Sequence, residues 1–125
     1  MQLSAISKIK HGEGWLANLN PGRGAEPGKS RPVLVVQSQA MLDAGHSSTI
    51  VLPLTTRLMD GAEPLRLRLT AQSRLEADSD ILIDQIRAID NRRLIDGPLL
   101  TCTPEMMARV YAALSDVMDM PFIHE

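Results

Sequence analysis

The sequence predicts a mainly β domain that ends in one packed helix. Three observations support this fold class: short apolar runs recur over residues 13–95, Gly, Pro and Asn separate them, and the stretch after residue 103 has helical spacing. At 125 residues and 44% apolar content, the chain has the size of a single domain with a modest core. Several short strands followed by one helix are typical of a small, strongly bent sheet or barrel.

The first half of the chain is predicted to contain three strands. Trp15, Ala17 and Leu19 share one face of the first strand, because side chains alternate along a strand. Four consecutive apolar residues at 33–36 predict that the second strand is buried on both faces. The predicted segments are strands at 13–19, 31–37 and 49–54, a loop at 20–30, and a connection at 38–48 with one helical turn at 40–42.

The second half begins with a clean alternation of Leu and Arg. Leu65, Leu67 and Leu69 are predicted to face the core, while Arg66 and Arg68 face solvent. The segments around this strand are a turn at 58–63, the strand itself at 64–69, an irregular stretch at 70–79, and strand signals at 80–89 that continue through 92–95 until Gly97-Pro98 breaks them.

The last element is predicted to be a helix with a well-formed start. Thr103 suits the N-cap, Pro104 suits the first helical position, and Glu105 complements the helix dipole. One face at helical spacing is predicted to belong to the core or to an interface: Met107, Val110, Tyr111, Leu114 and Val117. Residues 119–125 are predicted to form a tail, of which 122–125 lie outside the residues that the structure describes.

Charge is distributed unevenly along the chain. The formal net charge is −2, yet residues 1–34 hold five cations against two carboxylates, and residues 104–125 hold one cation against four carboxylates. A locally positive face can bind an anion, although ordinary surface charge explains the same counts. With one Trp, one Tyr and one Phe, the chain does not fit proteins that stack successive bases on aromatic platforms.

Composition also excludes several kinds of site. The single cysteine, Cys102, permits neither an internal disulfide nor a cysteine-based metal cluster, and is predicted to be a small buried residue. Residues 78–80 are predicted to form a polar turn rather than a metal site. No metal and no cofactor are expected. Residues 1–10 do not resemble a signal peptide and no window could span a membrane, so a cytoplasmic protein is expected.

The loop at 20–30 is the most informative segment. Its three glycines can adopt backbone angles closed to other residues, and the flanking strands fix its two ends. Lys29 and Arg31 are therefore suited to binding a phosphate, with Glu26 close by. The loop does not lead into a helix, which argues against a nucleoside triphosphatase.

A metal-free reaction suits the polar residues beside the predicted strands, because the ends of distant strands can converge on one rim of a small barrel. An RNA 2′-hydroxyl can attack its own phosphate if the protein moves protons and stabilises charge. Arg31 would bind phosphate oxygens, Thr55 would hydrogen-bond the phosphate, and Glu26 or Asp84 would take or relay a proton. The polar segments are 26–31, 55–57, 84–87 and 91–93.

Each of these residues also has a purely structural explanation. Arg31 can simply begin a surface strand, Glu26 can be a solvated loop residue, and Thr55 and Thr56 can be turn-forming hydroxyls. Asp84 stands among apolar residues, and a buried carboxylate is costly unless it is paired.

Asp84 is therefore predicted to lie in a buried strand with a cationic partner such as Arg87 or Arg31.

Four motifs follow one another in order: Gly-Glu-Gly-Trp-Leu at 12–16 with Leu-Asn-Pro at 19–21, Gly-Ala-Glu-Pro-Gly-Lys-Ser-Arg-Pro-Val-Leu-Val at 24–35, Val-Leu-Pro-Leu-Thr-Thr at 51–56, and Asp-Gln-Ile-Arg-Ala-Ile-Asp at 84–90. Their order and spacing resemble the MazF/PemK (Kid) family of bacterial toxin–antitoxin ribonucleases. The resemblance extends over residues 12–118 of a single domain at 1–125.

The resemblance implies an SH3-like small β-barrel of the CcdB/MazF type and a homodimer. It implies metal-independent, sequence-selective cleavage of single-stranded RNA that leaves a cyclic phosphate. It also implies a cognate antitoxin of the MazE/PemI kind, whose disordered acidic tail would compete with RNA.

The resemblance places catalytic roles on Arg31 and Thr55, with Glu26 in the same loop. Asp84 matches an aspartate that contributes in the Kid branch. The adjoining polar residues are expected to bind RNA: Lys29, Ser30, Thr56, Arg57, Gln85 and Arg87.

Two residues of the Kid branch are missing. Leu82 stands where that branch has an arginine, and Ala25 stands where it has a histidine. The identity of the general base and general acid therefore stays open.

Two other functions compete with RNA cleavage. CcdB-type toxins share the fold but poison DNA gyrase without enzymatic activity, using a C-terminal Trp-Gly-Ile that the Pro-Phe-Ile-His-Glu at 121–125 does not match. An SH3-like peptide-binding module would need a groove lined with aromatic residues, and the chain has few.

Overall fold

Seven strands and two helices are present in residues 9–25 and 28–121, which the computed structural model describes. None of the helices in these ranges is long and apolar enough to cross a membrane. The strands are β1 (Glu13–Asn18), β2 (Ser30–Val35), β3 (Ser48–Thr55), β4 (Arg66–Leu69), β5 (Ser79–Leu82), β6 (Arg87–Asp90) and β7 (Leu94–Thr101). The helices are α1 (Gln39–Asp43) and α2 (Pro104–Val117), and two 3₁₀ turns lie at Ile83–Gln85 and Asn91–Arg93.

The strands form an antiparallel sheet in the order β4-β5-β3-β2-β1-β7. β3 is the long central strand: it pairs with β2 along one side, and with β6 and then β5 along the other. The predicted mainly β fold with a C-terminal helix is confirmed. Closure into a hydrogen-bonded barrel is not detected, because β4 and β7 stand at the two ends of the strand order in the described part of the chain.

The middle of the sheet is covered on both faces, as the apolar run in β2 predicts. Leu34 belongs to a core cluster that α2 completes with Met107 and Val110. Val33 and Val35 point to the opposite face and belong to a second cluster that contains Trp15, Val51, Ile89 and Leu42 of α1. Alternation along one strand therefore supplies two separate cores.

Helix α2 begins as predicted and packs the predicted face on the core at Met107, Val110, Leu114 and Val117, but not at Tyr111. The hydroxyl of Thr103 accepts a hydrogen bond from the backbone N–H of Met106 at 3.1 Å, which caps the helix. Tyr111 does not join the buried face, since it is 44% exposed. Its hydroxyl instead lies 2.5 Å from Nε2 of His11, whose Nδ1 lies 2.8 Å from the carbonyl oxygen of Gln37. Of the two predicted settings, the core is therefore wrong for Tyr111, and an interface stays a prediction.

The strand signal at 92–95 does not end at Gly97-Pro98, contrary to the prediction. β7 passes through both residues, because it is the edge strand of the sheet and Pro98 needs no ladder donor there. Gly97 lies against the indole ring of Trp15, and a Cβ at this position would come within 2.3 Å of the ring carbon Cδ2. Glycine is thus required by close packing on the tryptophan.

The Leu and Arg alternation also begins later than predicted. β4 starts at Arg66, and Leu65 is 49% exposed, whereas Leu67 and Leu69 are buried. Arg66 and Arg68 are half-buried rather than fully solvated.

Cys102 is buried, as predicted, and burial raises the pKa of its thiol to about 11. Because the thiolate is the reactive form, the native protein is expected to react slowly with a thiol-specific disulfide reagent at pH 8. Unfolding in urea should restore the rate of an ordinary exposed cysteine. Equal rates in the native and urea-unfolded protein would contradict the buried position.

Candidate active site

Arg31 lies at the second position of β2 and is half-buried. Its Nε donates a hydrogen bond to the carbonyl oxygen of Gly28 at 3.0 Å, and its Nη1 donates to the carbonyl oxygen of Leu54 at 3.5 Å. That second carbonyl belongs to the peptide that leads into Thr55. The fold therefore brings the guanidinium to the end of β3 where the predicted catalytic threonine stands.

Hydrogen bonds between backbone and amide groups join the two ends of the loop at 20–30. Leu19 donates its N–H to the carbonyl oxygen of Lys29 at 2.8 Å, and Lys29 donates its N–H to Oδ1 of Asn20 at 2.5 Å. Gly28 passes so close to Gly22 that a Cβ would lie 2.7 Å from the Gly22 nitrogen. This packing fixes the carbonyl of Gly28, which in turn holds Arg31.

Of the other loop residues that the sequence predicts to be functional, Lys29 and Ser30 are among the described residues and Glu26 is not. Lys29 and Ser30 are exposed beside Arg31, and Lys29 has a positive φ of 65°. Glu26 lies outside the described residues, so its predicted role stays a prediction.

Thr55 ends β3 and is 8% exposed. Its hydroxyl oxygen accepts a hydrogen bond from the backbone N–H of Arg57 at 3.1 Å. A hydroxyl that accepts one bond still carries a hydrogen to donate, so Thr55 can donate to a bound anion. Thr56 and the side chain of Arg57 are exposed immediately after it.

A surface cavity of about 540 Å³ lies beside this pair of strands. Its lining includes Pro32 and Thr56, which follow Arg31 and Thr55 in the chain, together with Arg74 and Glu76. Arg74 is held by Asp96, at 2.5 Å, and by the carbonyl oxygen of Pro98, at 3.3 Å. Arg31 and Thr55 are not among its lining residues, and Pro32 and Ser79 alternate with Arg31 and Asp80 along β2 and β5, so this cavity opens on the other face of the sheet from the guanidinium.

Asp84 is not where the sequence placed it. It is exposed on the 3₁₀ turn Ile83–Gln85 and forms no ion pair with any residue in the described ranges. The prediction of a buried strand position paired with Arg87 or Arg31 is wrong, because the chain turns at Ile83, which takes the buried position. Asp84 then points away from the core.

The neighbouring predicted RNA-binding residues are less exposed than Asp84. Gln85 and Arg87 are both half-buried, and Nη1 of Arg87 is buried without a hydrogen-bond partner among the residues described. Their predicted role in RNA binding stays a prediction.

The buried carboxylate of this region is Asp80, which is 1% exposed. Residues 78–80 therefore do not form the predicted polar turn, since Ser79 and Asp80 belong to β5. Asp80 accepts hydrogen bonds from Nε of Arg68 at 2.6 Å, from Nη1 of Arg66 at 3.2 Å, and from the backbone N–H of Met59 at 2.8 Å. The Arg-Leu-Arg alternation of β4 is the sequence feature that could have indicated this buried carboxylate, because β4 pairs with β5 and brings both arginines beside Asp80.

Asp80 is stabilised in its ionised form by its hydrogen-bond donors. Burial alone raises the pKa of this carboxyl, but the hydrogen bonds from Arg68, from the Met59 N–H and from Arg66 outweigh it, and the net pKa is lowered. Asp80 is thus ionised at neutral pH.

The fold and the placement of Arg31 at the Thr55 end of β3 agree with the four sequence motifs. Residues 10–118 match the family described as PemK-like, MazF-like toxin of type II toxin-antitoxin system. The chain belongs to this PemK/MazF family, which confirms the resemblance found in the four motifs.

Curated relatives agree with the family assignment. The chain is 36% identical over 110 residues to "Endoribonuclease EndoA" of Bacillus subtilis (strain 168), covering 85% of this chain and 90% of that protein.

Solved structures show the same architecture. MazF from Deinococcus radiodurans superposes with a TM-score of 0.74 at 25% identity, covering 90% of this chain and 97% of that chain. An endoribonuclease in complex with its cognate antitoxin from Mycobacterial species gives a TM-score of 0.72 at 20% identity, covering 92% and 99%, which supports the fold.

Proposed function

We propose that this endoribonuclease toxin cleaves single-stranded RNA without a metal ion. The relative named Endoribonuclease EndoA, similar over nearly its whole length, supports the reaction class. The observation that carries the proposal is the bond from Nη1 of Arg31 to the Leu54 carbonyl, which brings a guanidinium to the Thr55 end of β3.

In the proposed reaction, the RNA supplies its own nucleophile. A base removes the 2′-hydroxyl proton, the 2′ oxygen bonds to the adjacent phosphorus, and the bond from phosphorus to the 5′ oxygen breaks. The departing 5′ oxygen takes up a proton. The products are a 2′,3′-cyclic phosphate on one fragment and a 5′-hydroxyl on the other.

Arg31 and Thr55 would stabilise the charge that develops on the phosphate. The guanidinium fork matches two phosphate oxygens and keeps its charge throughout. The Thr55 hydroxyl already accepts from the Arg57 N–H, so its hydrogen is oriented away from that bond and can donate to phosphate.

Two carboxylates are candidates for proton transfer. Glu26 belongs to the loop that ends at Arg31, and Asp84 is exposed on its 3₁₀ turn, accessible to solvent and to a bound strand. Which of the two is base and which is acid stays open.

RNA would be held chiefly by charge and polar groups. Lys29, Ser30, Thr56 and Arg57 are exposed on either side of Arg31 and Thr55, so that they can contact phosphates and base edges. Gln85 and Arg87, which lie just before and at the start of β6, are also proposed to contact the RNA.

Two protein partners form part of the proposal. A homodimer would place two such sites in one assembly, and an acidic antitoxin segment of the MazE/PemI kind would compete with RNA for the cations. Complexes with antitoxin are present among the similar structures, including MazE-MazF from Deinococcus radiodurans. An RNA substrate places the activity in the cytoplasm.

The direct test is cleavage of a long single-stranded RNA in the presence of EDTA, followed by mapping of the cut ends. Discrete cuts that carry cyclic phosphates are expected. The absence of cleavage, together with stabilised breaks in DNA bound to gyrase, would instead favour the CcdB-type activity.

A further inference from the structure

We propose that Asp80 is a positioning residue that holds Thr55 and the segment after it in the geometry required for cleavage. This inference rests on the proposed function, since it assigns Asp80 a role in the same site. Asp80 would act through its neighbours and would not contact the RNA.

The sheet itself places Asp80 beside Thr55. Thr55 on β3 is in register with Asp80 on β5, and Asp80 is in register with Arg68 on β4. Directly opposed residues on neighbouring strands carry their side chains on the same face. Thr55, Asp80 and Arg68 therefore form one row across three strands.

Asp80 also reaches beyond the sheet into the segment that follows Thr55. Its Oδ2 accepts the backbone N–H of Met59 at 2.8 Å. The carboxylate is 1% exposed, so this bond is shielded from water and costly to break.

The two arginines that pair with Asp80 also form hydrogen bonds to the segment at 57–60 at two further points. Nη1 of Arg66 donates both to Asp80, at 3.2 Å, and to the carbonyl oxygen of Arg57, at 2.8 Å. Nη2 of Arg68 donates to Asp60 at 2.7 Å, while its Nε donates to Asp80. Residues 57, 59 and 60 thus all depend, directly or through one arginine, on a single buried carboxylate.

This arrangement controls the Thr55 hydroxyl. The backbone N–H of Arg57 donates to Oγ1 of Thr55, and the carbonyl of the same residue is fixed by Arg66. If the Asp80 charge is removed, the charge-assisted bond from Arg66 is weakened, so Arg66 fixes the Arg57 carbonyl less firmly and the Arg57 peptide is freer to reorient. Misplacement of a catalytic group by about 1 Å costs up to about 100-fold in rate.

The test is a set of single-turnover cleavage rates at saturating protein, with binding measured on an RNA that carries 2′-deoxyribose at the cut position. Asp80→Asn is expected to lower the rate by about 10- to 100-fold while changing the dissociation constant less than about threefold. In a Thr55→Ala background, Asp80→Asn should cost less than about twofold more, because both changes remove the same contribution.

Two further variants separate positioning from general stability. Glu13→Gln is the matched control, since Glu13 is also a buried carboxylate but accepts from the Lys10 N–H and the Trp15 indole on β1. It should cleave at the normal rate. Arg66→Lys keeps a charge near Asp80 but cannot easily bridge to Arg57, and it should lose activity even if Asp80→Asn does not fold.

Hydrogen exchange of the Met59 amide gives a readout that does not depend on cleavage. Its exchange should become faster in Asp80→Asn and stay unchanged in Glu13→Gln. A normal cleavage rate in folded Asp80→Asn, or a full multiplicative loss in the double variant, would overturn the inference. If the unmodified protein does not cleave RNA but Met59 exchange still depends on Asp80, the proposed function fails while the structural tie to this segment stands.

Discussion

Arg31→Ala is expected to lower the single-turnover rate of RNA cleavage by about 100- to 1000-fold, the usual cost of removing one preorganised group that stabilises developing charge. The physical reason lies in how the side chain is held. The carbonyls of Gly28 and Leu54 each take one N–H of the guanidinium, at 3.0 and 3.5 Å, and leave its remaining donors for a phosphate. Quench-flow or gel-based kinetics with excess protein measure the rate directly.

Arg31→Lys tests whether the fork or only the charge matters. Lysine keeps the positive charge but cannot contact two phosphate oxygens in one plane while bonding to Gly28, so most of the activity should be lost. Arg109→Ala is a matched control, because Arg109 is a half-exposed arginine paired with Glu63 on another face of the molecule. Full activity in the lysine variant would contradict the role given to Arg31.

If Arg31 were only structural, its replacement would mainly lower the free energy of unfolding rather than the cleavage rate. Its two acceptors are backbone carbonyls near the surface, so a purely structural arginine would reveal itself through a lower free energy of unfolding. Urea denaturation of Arg31→Ala should show a change that is small beside the loss in rate.

Local patterns in the sequence were sufficient for most of the fold. The apolar run at 33–36 predicts a strand covered on both sides, and the structure places Val33 and Leu34 in different clusters. Thr103 and Pro104 predict the start of α2, because helix caps are decided by a few neighbouring residues.

The sequence could not determine which carboxylate near β5 is buried. Asp80 and Asp84 flank the same apolar residues, and both fit a strand by composition. The choice is made by Arg66 and Arg68, which are neighbours of Asp80 only after β4 and β5 pair. A long-range pairing thus decided a question that a local pattern left open.

The departures from prediction at Tyr111 and Pro98 have the same kind of cause. Tyr111 fits the helical stripe, but its hydroxyl finds a partner in His11, from the far end of the chain. Pro98 signals the end of a strand unless the strand is at the edge of the sheet, and strand order is not readable from one strand.

Leu52→Ala is expected to lower the free energy of unfolding by about 2–5 kcal/mol, the range for removing a large aliphatic side chain from a packed core. Leu52 is 0% exposed in the cluster beneath α2, and it is in register with Leu34 on β2. Because it lies on the central strand, neighbours on both sides limit how far the cavity can collapse. Urea denaturation at one fixed protein concentration measures the difference.

Leu65→Ala is the matched control for this prediction. The sequence alternation placed Leu65 in the core with Leu67, but the side chain is 49% exposed. The same chemical change there should alter the free energy of unfolding by no more than about 0.5 kcal/mol, as is usual for surface positions. Equal losses at residues 52 and 65 would mean that Leu65 is covered in solution, for example by a second copy of the chain, and the loss would then vary with protein concentration.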